Sequence, residues 1–288
     1  MKKCKVISAL VALVLLLTIS VQTAFADTYF ENDTYRFKRV NNDVNRIMIC
    51  EYLGDEKDVV VPSTIFGAEV VSFDFMSFSS SENADTIETI SLPDTVTSID
   101  DFACASMANL KSINIPQSCT DLGMGIFDRC PSLTEVDIES DITYIPAQMF
   151  NRCSCLTEFE VPSTVTSIGN LAFNACTSLE KVVIPKETVS IADNAFKDDD
   201  NLTIYGYTDS YAEQYAADKN IKFVALDNYQ LGDVDMNNII DIRDATAIQE
   251  YQVGFYEFGQ LQMRLADHNQ DGHIDINDVT SIQRYLVS

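Results

Sequence analysis

Thr164-Val165-Thr166-Ser167-Ile168-Gly169-Asn170-Leu171-Ala172-Phe173-Asn174-Ala175-Cys176 decides the fold, because its apolar residues return at a fixed interval along the chain. Ile168 has counterparts at Ile99, Leu122, Ile145 and Ile191, and Phe173 at Phe127, Phe150 and Phe196, at every 23rd position. The same interval separates Ile87, Leu110, Leu133, Leu156, Leu179 and Leu202. Three positions further on come Ile90, Ile113, Val136, Phe159 and Val182, and two beyond those Leu92, Ile115, Ile138, Val161 and Ile184. Pro93, Pro116, Pro162 and Pro185 close the segment in four of these five copies. Such periodicity is the mark of a solenoid: a short strand with alternating inward residues, a proline-marked exit, and a return segment whose Ile and Phe fill the interior. No unit buries its apolar side alone, so stability comes from stacking copies.

With its L-x-x-I-x-I-P and A-F-x-x-C-x-x-L segments, the repeat resembles a leucine-rich repeat of the BspA-like type found on bacterial surface proteins. The copy ending at Met107 departs from it, with Cys104 in the Phe column. Cys130, Cys153 and Cys176 share one column, but no His accompanies them, and they read as buried small apolar residues, not a metal ladder. Cys153 and Cys155 form only a C-x-C, too little for a redox pair. The ends read as caps. Tyr35 to Val40 and Ile47 to Tyr52 alternate as a hairpin around Asn41-Asn42-Asp43, and Val59 to Phe78 is an irregular first repeat followed by a polar insertion, Ser79 to Asp85. At the far end Tyr211 to Ala217 predicts a short helix and Ile221 to Ala225 a final strand.

A chain of 288 residues has room for two domains, and 44 acidic against 19 basic residues give it a formal charge of −25. That charge repels phosphate backbones and argues against nucleic acid as a partner. Trp is absent and the two histidines are His268 and His273, so most of the chain cannot host a Ser-His-Asp triad, a Cys-His pair or a His-rich zinc site. Residues 1–26 read as a cleaved export signal, with Lys2, Lys3 and Lys5, an apolar run from Val6 to Ile19, and Ala24-Phe25-Ala26 at the cleavage site. The apolar run is short for a bilayer span of about 20 residues, which disfavours an uncleaved anchor. Seven cysteines follow the signal, an odd number.

The chemistry concentrates at the carboxyl end. Asp233, Asp235, Asn237, Asp241 and Asp244 stand at positions 1, 3, 5, 9 and 12 of a calcium loop, and Asp267, Asn269, Asp271, Asp275 and Asp278 repeat the pattern further along. Ca²⁺ takes six to eight oxygens, and this spacing folds carboxylates and amides around one point, with backbone carbonyls of Ile239 and His273 at position 7. Gly272 and Asn238 fall where the loop needs a left-handed turn. Amphipathic runs follow, Ala245 to Gln252 and Val279 to Leu286, and both histidines read as solvent-facing loop residues.

Two loop-plus-helix units without the incoming helix of an EF-hand resemble a type I dockerin, over Leu231 to Ser288. The resemblance implies two Ca²⁺ ions and a cohesin module of a cellulosomal scaffoldin as partner. It also implies cohesin contacts through Ile242, Arg243, Gln249 and Glu250, with Ile276, Asn277, Gln283 and Arg284 as their near-symmetric counterparts. An anaerobic fibre-degrading source, with thiols kept reduced, is implied as well.

The expected architecture is α+β: a signal peptide (1–26), a leucine-rich-repeat solenoid of 23-residue units with terminal caps (27–226), a linker (227–230), and a small all-α dockerin (231–288). The expected protein is secreted and extracellular, bound to a cellulosome, with no membrane span after signal cleavage. Outward strand positions Glu135, Asp137, Glu158, Glu160 and Glu180 make an acidic stripe, read as either a solvated face or a surface for a protein partner. A non-catalytic interaction subunit is the preferred function. A carbohydrate-binding or glycoside-hydrolysing subunit acting on plant cell-wall polysaccharide is the alternative, since strands about 4.8 Å apart would bring a pair such as Glu135 and Glu158 within the ~5–5.5 Å of a retaining glycosidase.

Overall fold

The computed structural model describes residues 28–287, so the expected signal peptide lies outside the described residues. The chain divides into two compact units, with the boundary between Thr203 and Ile204.

The first unit is the solenoid. One face begins with the expected hairpin, Tyr35–Arg39 antiparallel to Arg46–Tyr52, and continues in parallel through Ala68–Phe73, Ser98–Ile99 and Asp121–Leu122. The other face stacks Asp58–Val60, Thr89–Ser91, Ser112–Ile115 and Glu135–Ile138. Strand partners in the regular part of the stack lie one repeat apart, as in Ser112↔Glu135 and Ser167↔Ser190. The irregular first repeat shows in the longer offsets Asp58↔Thr89 and Ser72↔Ser98.

The columns read from sequence line the interior. Phe127, Phe150, Phe173 and Phe196 stack with centroids 5.8, 5.1 and 5.0 Å apart. Beside them runs a polar ladder in which Asn151 donates to Asp128 (2.5 Å) and Asn174 to Asn151 (2.6 Å). The cysteine column is buried, and its thiols donate to main-chain carbonyls: Cys130 to Cys104 (3.0 Å), Cys153 to Phe127 (3.2 Å) and Cys176 to Phe150 (3.0 Å). Burial pushes the Cys130 thiol up to about 12, so it is chemically quiet at neutral pH. All seven cysteines of the described residues are free.

Four successive return turns hold two residues at positive φ, for example Gln148 with Arg152 and Leu171 with Ala175. This costs roughly 1–2 kcal/mol per non-glycine residue. It aims successive N–H groups at the next turn: Phe127 N–H donates to Met149 O (3.0 Å) and Phe150 N–H to Ala172 O (2.7 Å). At Gly169 the turns approach so closely that a Cβ would lie 2.6 Å from the Ala147 nitrogen.

Both strand ladders part, at adjacent junctions. Glu135–Ile138 ends one sheet and Glu158–Glu160 begins another with Lys181–Val183, while on the other face the ladder parts one junction earlier, where Asp121–Leu122 ends and Tyr144–Ile145 begins. The expectation that Glu135 and Glu158 sit on paired strands is therefore corrected. Continued register would set Glu135 beside Glu158 and Asp137 beside Glu160, and like charges directly opposite destabilise a ladder. Across the intact junctions those residues face Ser112, Asn114, Lys181 and Val183 instead. On the other face, Gly123, Gly169 and Ala192 each donate an N–H to the preceding repeat. Pro146 stands in that column and has no N–H to give. The orphaned Leu122 carbonyl accepts the Tyr144 hydroxyl instead, at 2.9 Å.

The second unit begins with the end of strand Thr203–Gly206, which pairs with Lys222–Ala225, and helix Tyr211–Lys219 lies between them in sequence. Ser210 caps that helix and Asn220 ends it in the left-handed conformation. After a 3-10 turn at Leu226–Asn228 come helices Ile242–Gln252, Gln260–Ala266 and Ile276–Leu286. Val234, Ala245, Ile248, Ala266, Val279 and Ile282 form their core, with Ala245 and Ile248 matched by Val279 and Ile282 in the second copy.

Candidate metal-binding loops

Each loop is drawn around its first and last aspartates. Asp233 accepts hydrogen bonds from the N–H groups of Asn237 (3.0 Å) and Asn238 (2.9 Å), folding the loop back on itself. Asp244 accepts from Val234 (2.8 Å), Asp235 (3.0 Å) and Asp241 (2.8 Å). Asp235 accepts from Asn237 N–H, and the Asn237 side-chain oxygen from Ile239 N–H. Carboxylate oxygens of Asp233, Asp235 and Asp244 thereby lie within 4.8 Å of one another, although Asp233 and Asp244 are buried to 1% and 0% exposure.

The second loop repeats this arrangement. Asp267 accepts from Asp271 and Gly272 N–H (both 3.0 Å), Asp271 from His273, and Asp278 from Asn269 (3.1 Å) and Asp275 (2.9 Å). Asn238 and Gly272 both hold positive φ, as do Met236 and Gln270 two positions earlier in each loop.

Asp241 and Asp275 have a different place from the loop acids. Each caps its helix, accepting from Arg243 N–H (2.7 Å) or Asn277 N–H (2.6 Å), and closes a capping box with Asp244 or Asp278. The helices consequently start at Ile242 and Ile276, three positions before the apolar runs read from sequence. The Arg243 guanidinium grips Asp241 and holds its carboxyl below the usual range.

No cation among the described residues is bonded to the inner triad in that way. Burial pushes the Asp233 carboxyl up, and the charges of Asp244 and Asp235 add to the effect. Buried carboxylates converging without a bonded counter-charge are unfavourable unless a cation joins them. A hard divalent ion with oxygen ligands answers that need, so the residue set fits calcium.

Two expectations change. The second loop does have an incoming helix, Gln260–Ala266, whose Leu265 and Ala266 are buried. His268 is half-buried, with Nδ1 2.8 Å from the Ser281 hydroxyl and its ring edge-on to Tyr285; His273 is exposed. Of the eight expected cohesin contacts, Ile242, Arg243, Gln249, Ile276, Asn277, Gln283 and Arg284 are exposed and Glu250 is half-buried. In the solenoid, Glu135, Asp137, Glu158 and Glu180 are exposed and Glu160 half-buried, with Lys181 3.5 Å from Glu158.

Residues 75–203 match the model of the BspA type leucine rich repeat region, in 6 copies, and residues 231–287 that of the dockerin type I domain. Among solved structures, a leucine rich repeat protein of T. pallidum is 21% identical, over 68% of this chain and 98% of that one, with a TM-score of 0.51. The pneumococcal vaccine antigen PcpA is 14% identical over 64% and 65% (TM-score 0.44). A leucine-rich repeat protein from Eubacterium ventriosum is 17% identical over 58% and 48% (TM-score 0.41). No curated protein matches the chain significantly in sequence. No helix among the described residues is long and apolar enough to cross a membrane. Type I dockerins bind calcium and imply a cohesin partner, and neither they nor leucine-rich repeats are typically catalytic. The chain carries a leucine rich repeat region of the BspA type and a type I dockerin domain.

Proposed function

We propose that the protein is a secreted, non-catalytic subunit of a polysaccharide-degrading assembly. Residues 231–288 dock it to a scaffoldin cohesin, while the solenoid, with its caps within 27–226, engages a second protein. The observation that carries this reading is the convergence of Asp233, Asp235 and Asp244 with no cationic side chain bonded to them among the described residues, in a loop whose pattern recurs from Asp267 to Asp278. Two calcium ions, one per loop, would be held by Asp233, Asp235, Asn237, the Ile239 carbonyl and Asp244, and by Asp267, Asn269, Asp271, the His273 carbonyl and Asp278. Asp241 and Asp275 act beside them as helix caps and, through water, at position 9.

Filling the loops sets the starts of helices Ile242–Gln252 and Ile276–Leu286, and so the spacing of the exposed Ile242 and Ile276. Metal binding is then coupled to docking. Calorimetry of the full chain should give two calcium sites per molecule, and immobilised cohesin modules should retain the chain in CaCl₂ and release it in EDTA. Absence of calcium heat, or retention indifferent to EDTA, refutes the reading.

A further inference from the structure

The cap of the solenoid holds a cleft that neither the loops nor the repeats explain. Its volume is about 490 Å³, and Tyr29, Arg36, Cys50, Glu51, Asp74 and Phe75 line it. That volume lies within the ~300–1,000 Å³ typical of small-molecule sites. Tyr29 and Phe75, both lining the cleft, are 55% and 54% exposed, against the buried ring column of Phe127, Phe150, Phe173 and Phe196. Phe75 is steadied edge-on by Phe102, at 6.2 Å.

The charged lining residues Arg36, Glu51 and Asp74 are held in ion pairs, the last with Lys38, which lies beside the cleft with Nζ 6.0 Å from the Tyr29 ring centroid. Arg36 is paired with Glu51, and Lys38 Nζ lies 2.5 Å from Asp74 Oδ2 while Asp74 Oδ1 accepts the Phe75 N–H. These four side chains keep 22–41% exposure, so the ion pairs set their positions while part of each polar group still faces solvent. Arg36 is held by Glu51 and, at 3.5 Å, by Glu31, and Lys38 by Asp74, so each of these charges already has a partner and none awaits an ionic ligand.

The geometry points to a binding site for a neutral saccharide. A sugar ring offers C–H bonds of slight positive polarity on its faces, suited to the negative face of an aromatic ring. Its rim offers hydroxyl pairs, suited to the fixed forks of Arg36, Glu51 and Asp74. The cleft lies in the first unit, so its occupancy is independent of the calcium loops and of docking.

Native electrophoresis of the full chain through gels containing xyloglucan, arabinoxylan, glucomannan or mixed-linkage β-glucan tests this. At least one neutral polymer should slow the protein, equally with and without EDTA and with little change in 0.5 M NaCl. Tyr29→Ala and Phe75→Ala should each weaken retardation at least tenfold, while Val189→Ala, at another exposed apolar site, should not. Unchanged circular dichroism would show that these variants fold. Retardation by none of the four polymers, retardation preserved in both aromatic variants, or stronger retardation by polygalacturonate that salt abolishes would each overturn the assignment. Failure of cohesin binding would not, so the two proposals fall separately.

Discussion

Asp199 occupies the fourth place in the column of Cys130, Cys153 and Cys176, one repeat beyond the last of them. Each cysteine thiol there donates to a carbonyl 26 residues earlier. By the same register Asp199 faces the Phe173 carbonyl, and an ionised carboxylate has no proton to offer it. Asp199 is 7% exposed, and neither oxygen has a hydrogen-bond partner among the described residues. Burial, opposed in part by the nearby Cys176 main-chain N–H and helped by the charges of Asp198 and Asp200, pushes its carboxyl from 3.8 up to about 7. A raised carboxyl binds its proton more tightly folded than unfolded, so stability falls as pH rises from about 4 to about 7 and stays lost above that. At about 1.36 kcal/mol per pKa unit the full shift is worth ~4 kcal/mol. Relaxation around the charge reduces this, and about 2–4 kcal/mol is expected. Asp199→Asn removes the charge and supplies a donor at every pH. Urea unfolding of the full chain in excess CaCl₂ should find it more stable than the parent by about 2–4 kcal/mol at pH 8.5, and by under ~1 kcal/mol at pH 4.5. Asp199→Cys, which completes the column, should behave alike. An equal difference at both pH values would refute the reasoning, because an uncharged packing effect does not titrate.

Phe150→Ala opens a hole between Phe127 and Phe173 and should cost about 3–5 kcal/mol in the same assay. Gly169→Ala drives a methyl against the Ala147 backbone, and a loss of about 1–3 kcal/mol is expected. Tyr144→Phe strips the Leu122 carbonyl of its substitute donor at the parted ladder and should cost about 1–3 kcal/mol. Asp244→Asn weakens the acceptor of three loop N–H groups and removes one of the three converging carboxylates, so calorimetry should lose one of two calcium sites while the Asp267 to Asp278 site persists.

The solenoid was readable because one residue type recurring at every 23rd position can only mean one place in a stacked turn. The loops were readable because oxygen donors at alternate positions have few other uses. The helix starts were missed for a physical reason that the residues do contain: Asp241-x-x-Asp244 and Asp275-x-x-Asp278 are capping boxes, which put the first turn three positions ahead of the apolar run. Helix Gln260–Ala266 is short and is preceded by Gly259, which has no side chain for a cap, so its pattern is brief and unmarked. The cleft was not readable at all. Tyr29, Arg36, Glu51 and Phe75 come together only through the pairing of Tyr35–Arg39 with Arg46–Tyr52 and of that strand with Ala68–Phe73.

The parting of the ladders lies between these cases, since its causes stand in the sequence but act only once register is known. The acidic residues form a uniform stripe when read along the chain. Stacked, they differ: Glu158 faces Lys181 across one junction and would face Glu135 across the other, and only the second is open. If repulsion holds it open, reversing one charge should close it. Glu135→Lys places an ammonium beside Glu158 and should stabilise the solenoid by about 0.2–1 kcal/mol. Hydrogen exchange is the sharper measure, because newly paired amides of the strand Glu158–Glu160 should slow at least tenfold while those of Lys181–Val183 stay as they were. Unchanged exchange in Glu135→Lys would refute repulsion as the cause of this opening, because Pro146 breaks the preceding junction and the Tyr144–Ile145 strand is paired with Ser167–Ile168 across this one.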